Sequence, residues 1–582
     1  MKTLNLHVDY IIFKPLKKAL KSVEDLGEKE KKEQKIEEAL AVLTAVEKFD
    51  TNVEEIVKKL VEDIKNIASQ INVKNIVLYP YAHLSKDLAS PELAVEVLDK
   101  AEKALKAIKG FSIFRAPFGY YKEFELKVKG HPLSELSREI RLDESSLLEK
   151  ETSEKKIHRK EEYDYIKLLK EVSKSKLDTS KLKENDHRIL GQQMDLYSFN
   201  EVAPGMVFWH NNGLIIRNEL INFWREIHRK TGYQEISTPQ ILNKKLWQIS
   251  GHWEKYRDNI FLTDYEKKTF VVKPMNCPGG MLVYKTNPKS YKEFPLRVAE
   301  LGVVHRQELS GVLGGLFRVI QFTQDDAHIF CMEKQIEDEI IAIMNMVDLV
   351  YSKTFNFFYH MELSTRPEKR IGDDKMWDKA ESVLKKVLDK KKVKYKINEG
   401  DGAFYGPKID FHLKDSLGRT WQCATIQLDF SMPERFDLTY TDSNNERKRP
   451  IMLHRVIYGS LERFIGVLIE HYNGRLPTWL APIQVRVLSF TDRNQDYARG
   501  IIKNLEKSIP NLRLDADFTQ RTVQAKVKDA EMMKIPYIIV IGDKEEKEKK
   551  LAVRVRGNSK IESFSLEDFI LRLEREIRER KS

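Results

Sequence analysis

Arg306 and Glu308 stand two residues apart at the end of RVAELGVVHRQE, a segment whose apolar spacing reads as a β-strand. That spacing puts both side chains on one sheet face. An arginine so placed can clamp a phosphate with both arms of its guanidinium, and a neighbouring carboxylate can hold an amine or a magnesium ion. After a glycine-rich loop, SGVLGGLFR, comes a second strand-like segment, VIQFTQDDAHIF. Here Phe322, Gln324, Asp326 and His328 alternate onto one face, which can be a substrate-facing row or simply a hydrogen-bonded polar surface. In HRVIYGSLERFIGVLIEHY, Gly459, Arg463 and Gly466 fall at spacings of four and three, the same face of a helix. Glycines beside an arginine let a base or phosphate approach the backbone; close helix–sheet packing uses the same pattern. Cys277, His328 and His454 show no local spacing of metal ligands, so the sequence alone does not join them.

The elements that must carry these residues read as follows. GLIIRNELINFWREIHRKTG is an amphipathic helix with Ile216, Leu220, Phe223 or Trp224, and Ile227 along its apolar stripe and Gly232 at its end. The segment YQEISTPQI reads as an edge strand, because Pro239 cannot donate to a ladder. Upstream, KTLNLHVDYIIF reads as a strand, a Lys/Glu-rich helical pattern follows to about Gln70, and NIVLYPYAHL is a second strand. SPELAVEVLDKAEKALKAI is a helix, with Ser90 as N-cap, Pro91 at the first position and Gly110 as its stop. FSIFRAPFG and YYKEFELKVKG read as a hairpin-like pair around Gly119. After LPTWLAPIQ the chain alternates strand and helix, a mixed-sheet α/β pattern ending in a helix.

The expected architecture is therefore α/β and α+β multidomain: residues 1–142, a charged linker 143–190, a domain 191–481 holding the three segments above, and a domain 482–582. The chain has 582 residues, 41% hydrophobic and 32% charged, a globular composition that excludes collagen-like and wholly disordered chains. No apolar run approaches the ~18 residues of a membrane span. Three cysteines and no CxxC cannot make a disulfide scaffold, so a reducing, cytoplasmic compartment is expected. A net charge of +11 suits a polyanionic partner, though Lys/Glu richness also describes a strongly solvated surface.

With the residues in view, the three segments resemble the three signature motifs of class II aminoacyl-tRNA synthetases. KPMNCPG, FRVIQFTQDDAHIFC, LSTRPEKRIG, GAFYGPKIDF, WQCATIQLDF and HRVIYGSLERFIG narrow the resemblance to threonyl-tRNA synthetases over roughly residues 190–582. YAHLS, APFGYYKEF and KGHPLSELS make the first ~140 residues similar to the archaeal editing domain of that family, itself akin to D-aminoacyl-tRNA deacylases. The bacterial editing domain carries HxxxH, and no two histidines here are four apart.

The resemblance implies a zinc ion held by Cys277, His328 and His454, with its open position taken by the amino and hydroxyl groups of threonine. It implies an ATP site of Arg306, Glu308, Arg318, Phe322, Gln422, Arg463 and Lys408, with Mg2+ accompanying the nucleotide. Arg306 would grip the α-phosphate, Arg318 and Arg463 the outer phosphates, Glu308 the adenine amine and Phe322 its ring. Met275, Gln324, Asp326, Tyr405 and Gln427 would line the amino-acid pocket. His83, Tyr121, Lys122 and Glu135 would form the editing site. Gln520, Lys528, Glu545 and Arg554 match anticodon-contacting positions, Gln520 and Lys528 with departures from the usual residues. Gly280 and Gly315 stand where the resemblance leads one to expect histidine.

The chemistry accounts for two sites. A metal position left without its oxygen rejects valine by ~10⁴–10⁵, whereas serine loses only a methyl, worth roughly 10–200-fold. The function so implied is threonine–tRNA ligation with hydrolysis of seryl-tRNA(Thr), the partners being tRNA(Thr), ATP and L-threonine, in a homodimer without membrane attachment. A deacylase with an inactive ligase half and a non-catalytic RNA-binding relative are the alternatives.

Overall fold

The computed structural model describes residues 1–140 except 21, 22, 24 and 29, then 165–172, 182–415 and 418–580. The chain divides into two compact units, 1–162 and 163–582. Much of the expected linker, 143–190, falls outside the described residues. Among the described residues, no helix is long and apolar enough to cross a membrane.

The first unit is a six-stranded sheet. β1 (Lys2–Lys18) pairs antiparallel with β2 (Gln34–Ala45), and β3 (Asn75–Pro80) and β4 (Ser112–Arg115) extend the sheet in parallel. β5 (Tyr120–Val128) and β6 (Glu135–Glu139) both pair with the other edge of β1. Helices α1 (Val53–Gln70) and α2 (Pro91–Lys106) cover one face, packing on Leu40, Val42, Ile76 and Leu78. Leu43, Val77 and Tyr79 join a second cluster on the opposite face. Strands buried on both faces need continuous apolar runs, which is what ALAVLTA and NIVLYP supply. Ser90 caps α2 as expected, accepting from the Leu93 amide.

Two expectations fail here. The helical pattern to Gln70 holds only from Val53; Gln34–Ala45 is a strand, its polar first half outside the two-sided core. The hairpin around Gly119 does not exist: β4 and β5 lie at opposite edges of the sheet, and the Gly119 turn, at φ +73°, carries the chain between them. A Cβ there would collide with Val23.

The second unit is built on an eight-stranded sheet. Across it run Tyr395–Asn398, Phe358–Ser364, Lys408–Lys414, Thr420–Asp429, Ile451–Val456, Gln321–Cys331, Leu296–His305 and Gln234–Glu235. The pairs from Phe358–Ser364 to Leu296–His305 are antiparallel; the two outermost strands are added in parallel. Helices Asn211–Lys230, Ile336–Asp348 and Leu461–His471 bury one face in a single large core that takes in Ala327, Ile329 and Cys331. Alternation then turns Phe322, Gln324, Asp326 and His328 to the opposite face. The expected stripe Ile216, Leu220, Phe223, Trp224 and Ile227 is buried in full.

Pro239 is not part of a strand, which stops at Glu235. Gly459 precedes the helix rather than lying on it, since Ser460 is the N-cap and the helix begins at Leu461. Its φ of +82° and the collision a Cβ would make with the Cys423 carbonyl explain the glycine. The core also reaches further back than residue 191: helix His187–Gln193 inserts Leu190 into it, followed by Met194. The last hundred residues form the expected mixed sheet, Leu514–Asp517, Val485–Ser489, Tyr537–Ile541, Leu551–Val555 and Ile561–Phe564, parallel over the first three strands and antiparallel over the rest.

Candidate active sites

Three elements bring the scattered ligand candidates together. Cys277 opens the helix Cys277–Lys285, and His328 and His454 face each other across neighbouring antiparallel strands. Their ligand atoms lie within 4.8 Å of one another, and all three residues are buried. The imidazoles meet edge-on at 5.0 Å. His454 Nε2 donates to Asp429 Oδ2 at 2.8 Å, leaving Nδ1 with its lone pair, the arrangement by which carboxylates orient metal-binding histidines. His328 Nε2 is buried without a hydrogen-bond partner. A thiol, two imidazoles and an orphaned ring nitrogen fit a borderline-soft cation such as zinc. A Cβ on Gly280 would make ordinary contact with His328.

Beside the trio opens a cavity of about 480 Å³. Met275, Cys277, Arg306, Glu308, Arg318, Phe322, Gln324, Asp326, Tyr405, Gln422, Gln427, His454 and Arg463 all line it, so nearly the whole expected ATP and threonine set converges. Arg306 lies over the Phe322 ring, 5.1 Å from its centroid, and its Nε donates to the Pro274 carbonyl. Arg318 is held by Glu308 at 2.8–3.0 Å. Arg463, in the first turn of its helix, donates to the carbonyls of Phe317 and Gln422. Tyr405 donates to Gln427 Oε1 at 2.7 Å and its ring packs on His454.

Lys408 departs from the set. It does not line the cavity but is buried, its Nζ bound to Asp410 at 2.7 Å and Asp401 at 2.8 Å. Burial pulls its pKa down, and the two carboxylates outweigh that and leave it above the ordinary lysine value. Asp410 also accepts from Gln422 Nε2 at 2.6 Å.

Four contributors were not visible in the sequence. Asn276, fully buried, donates to Asp326 Oδ2 at 3.2 Å and to Gln324 Oε1 at 3.4 Å. Gly302, on the paired strand, leaves the space: a Cβ there would collide with the Asn276 amide. Asp325 accepts from the amides of Ile457 and Gly459, both at 2.9 Å, and so fixes the turn that leads into the Arg463 helix. Burial pushes the Asp325 and Asp326 carboxyls up to about 6. His252 is also buried, its Nδ1 2.8 Å from Ser250 Oγ, and burial with the charges of His454 and Arg306 pulls it down to about 3. The doubled aspartate of the QDD string was the only local signal for any of these.

The first unit carries a separate cavity of about 520 Å³, walled largely by apolar and aromatic groups that include Leu98, Phe118, Tyr79 and Phe124. His83, Tyr121 and Lys122 line it. His83 sits in the short turn after β3, its ring 5.4 Å from Tyr81. Lys122 Nζ donates to the carbonyls of Pro117 and Tyr120 and lies over the Tyr79 ring at 5.2 Å. No carboxylate stands among these partners, and burial pulls its pKa to about 8. Glu135 does not join them: it lies on β6 opposite Leu6, outside the cavity lining.

The four expected anticodon residues are spread over the C-terminal sheet domain. Gln520 and Lys528 are exposed, Glu545 Oε2 accepts from the Gly542 amide, and Arg554 lies on the Leu551–Val555 strand opposite Ile538.

An antiparallel sheet with a phosphate-ready arginine just past the end of one strand and another at the start of a helix, joined to a mixed-sheet C-terminal domain, defines a class II aminoacyl-tRNA synthetase. Family models agree. The tRNA synthetase class II core domain (G, H, P, S and T) matches residues 260–472, and an anticodon binding domain matches 484–576. The archaea-specific editing domain of threonyl-tRNA synthetase matches 1–140. The chain belongs to the threonyl-tRNA synthetase family. It is 40% identical to a Cryptosporidium parvum threonyl-tRNA synthetase structure titled as its RNA binding domain, covering 67% of this chain and 98% of that one with a TM-score of 0.65. It is 52% identical over 418 residues to the threonine–tRNA ligase of Carboxydothermus hydrogenoformans, covering 72% of this chain and 64% of that protein. Against the threonine–tRNA ligase of Desulforamulus reducens the identity is 54% over 395 residues, or 68% and 62% of the two chains. The chain thus spans a little under two thirds of the length of these curated relatives.

Proposed function

We propose that the protein activates L-threonine with ATP, transfers it to tRNA(Thr), and hydrolyses mischarged seryl-tRNA(Thr) in its first unit. One observation carries the synthetic half: Cys277 and His454, whose ligand atoms cluster with that of His328, open onto the same cavity as Arg306, Arg318 and Arg463. In this reading Arg306 takes the α-phosphate, stacked beside Phe322 where an adenine ring would also lie, and Arg318 and Arg463 take the outer phosphates. Magnesium accompanies the nucleotide. Glu308 exchanges its bond with Arg318 for the adenine amine when ATP enters.

Cys277, His328 and His454 would hold the zinc, which when bound supplies an open position for the amino and hydroxyl groups of threonine. Asp326, aligned by Asn276, accepts the hydroxyl proton, and Gln324, Tyr405, Gln427 and Met275 complete the walls. The work is done by orientation and fixed charge rather than by a protein nucleophile. In the first unit the charged form of Lys122 would stabilise the oxyanion that develops during ester hydrolysis, with His83 and Tyr121 around the terminal nucleotide. Gln520, Lys528, Glu545 and Arg554 are the candidate anticodon contacts, and a homodimer is the expected assembly.

The test is ATP–pyrophosphate exchange with threonine, serine and valine on protein assayed for zinc. Exchange with threonine, weaker exchange with serine, none with valine and about one zinc per chain support the reading. Zinc without exchange removes the ligase and leaves a deacylase; neither zinc nor exchange removes the metal site as well.

A further inference from the structure

His187 belongs to none of the three motif segments, yet it is buried against Phe317, which lines the cavity that they form. Its helix, His187–Gln193, packs against the Arg463 helix and against the loop turn Gly315–Phe317. The Nδ1 atom lies 2.6 Å from Glu470 Oε1, and the same carboxylate oxygen accepts the His187 amide at 3.0 Å. On the other side of the ring, the Leu316 amide donates to Nε2 at 3.0 Å. Because Nε2 accepts, the proton sits on Nδ1 and is donated to Glu470; the ring is the neutral Nδ1–H tautomer.

The ring also packs on Phe317, 4.2 Å between centroids. Phe317 is stacked in turn on Trp421 at 4.1 Å, and its carbonyl accepts from Arg463 Nε at 3.0 Å. Glu470 is shared with Arg419, which lies over both the Trp421 and Phe317 rings. The return leg of the loop is thus fixed at three points: an amide on the imidazole, a ring between two rings, and a carbonyl on Arg463. Glycine at 315 is demanded by the same contact. Its φ is +56°, and a Cβ would collide with His187 Nε2, so the histidine expected at 315 has no place in this backbone.

We infer that His187 is a positioning residue for the ATP site: its neutral Nε2 fixes the Leu316 amide and, through Phe317, sets Arg318 and Arg463 for the outer phosphates. The inference rests on the reading of that cavity as an ATP site. The cluster Asp186, His187 and Glu470 also has metal-ligand proximity. Its atoms are already satisfied, however, with Asp186 accepting both Nε and Nη2 of Arg188 at 2.8–2.9 Å. A hydrogen-bonded strut therefore explains it better than a metal site.

The experiment compares wild type, His187→Ala and His187→Gln by ATP–pyrophosphate exchange, by calorimetric ATP binding, and by zinc content. The ¹⁵N spectrum of the histidines in the wild type, assigned by loss of one ring in His187→Gln, reads the tautomer. The expected results are an Nδ1–H tautomer and about a tenfold rise in KM and Kd for ATP in His187→Ala. KM for threonine and zinc content stay unchanged, and the amide acceptor of His187→Gln restores ATP binding to within about threefold. Equal losses for threonine and ATP, no rescue by glutamine, an Nε2–H tautomer, or loss of one of two bound metals each overturn the inference. Absence of exchange in the wild type removes the ligase reading instead, and ATP binding with the histidine spectrum still decides the role of His187.

Discussion

The two cavities are nearly equal in volume, about 480 and 520 Å³, and opposite in construction. The first is lined by four arginines, three glutamine carboxamides, and Cys277 and His454 of the Cys/His/His trio, many of them hydrogen-bonded to neighbouring groups. The second is mostly aliphatic and aromatic, with Lys122 bound only to backbone carbonyls. Under the proposed function the difference follows from what each would have to discriminate. Serine and threonine present the same polar atoms, so polar recognition cannot separate them and a synthetic site of this kind admits both. A second site needs only to accept the product and to supply charge where an oxyanion develops. A lysine half-desolvated among aromatic rings suits that, because burial strengthens each charge interaction.

The sharpest test of the contrast is removal of one group from each cavity. His328→Ala is expected to empty the trio of zinc and lower threonine-dependent exchange by about 10³-fold or more, with serine release from seryl-tRNA unchanged. Loss of both activities would mean that the two sites do not work independently. Lys122→Ala is expected to do the reverse, slowing seryl-tRNA hydrolysis by about 10²-fold while exchange is untouched.

A smaller effect is expected from Gly302→Ala, whose methyl displaces Asn276 and with it Asp326. KM for threonine should rise about tenfold and KM for ATP stay level; an equal rise in both would deny Asn276 a specific role. The mildest test is pH. With its pKa pulled to about 8 by burial, Lys122 loses its proton as pH rises through that value. The Lys122-dependent part of hydrolysis, wild type minus Lys122→Ala, should fall about tenfold from pH 7 to pH 9. A rise would assign Lys122 to a neutral, proton-accepting role.

Local order was the legible part. Alternation in QFTQDDAHIF put Phe322, Gln324, Asp326 and His328 on one face, and 3.6-residue periodicity in the Asn211–Lys230 helix identified its buried stripe, because both periods are properties of the chain itself. The Cys/His/His trio was reached only through resemblance, since His328 and His454 meet by strand pairing and Cys277 joins them from a helix, all three far apart in sequence. Sheet order was not legible either: β4 and β5 are consecutive in sequence and lie at opposite edges.

By itself, then, the sequence determined which residue types face together within each strand and helix, and through its motif strings the family to which they belong. Only the tertiary structure decided which of those residues share a cavity. It turned Lys408 toward Asp401 and Asp410, left Glu135 outside the cavity of the first unit, and brought His187 from the edge of the expected linker to the loop behind Arg463. The reason is physical: periodicity fixes direction within an element, whereas hydrogen-bond partners and ring contacts are chosen between elements, where sequence separation sets no limit on distance in space.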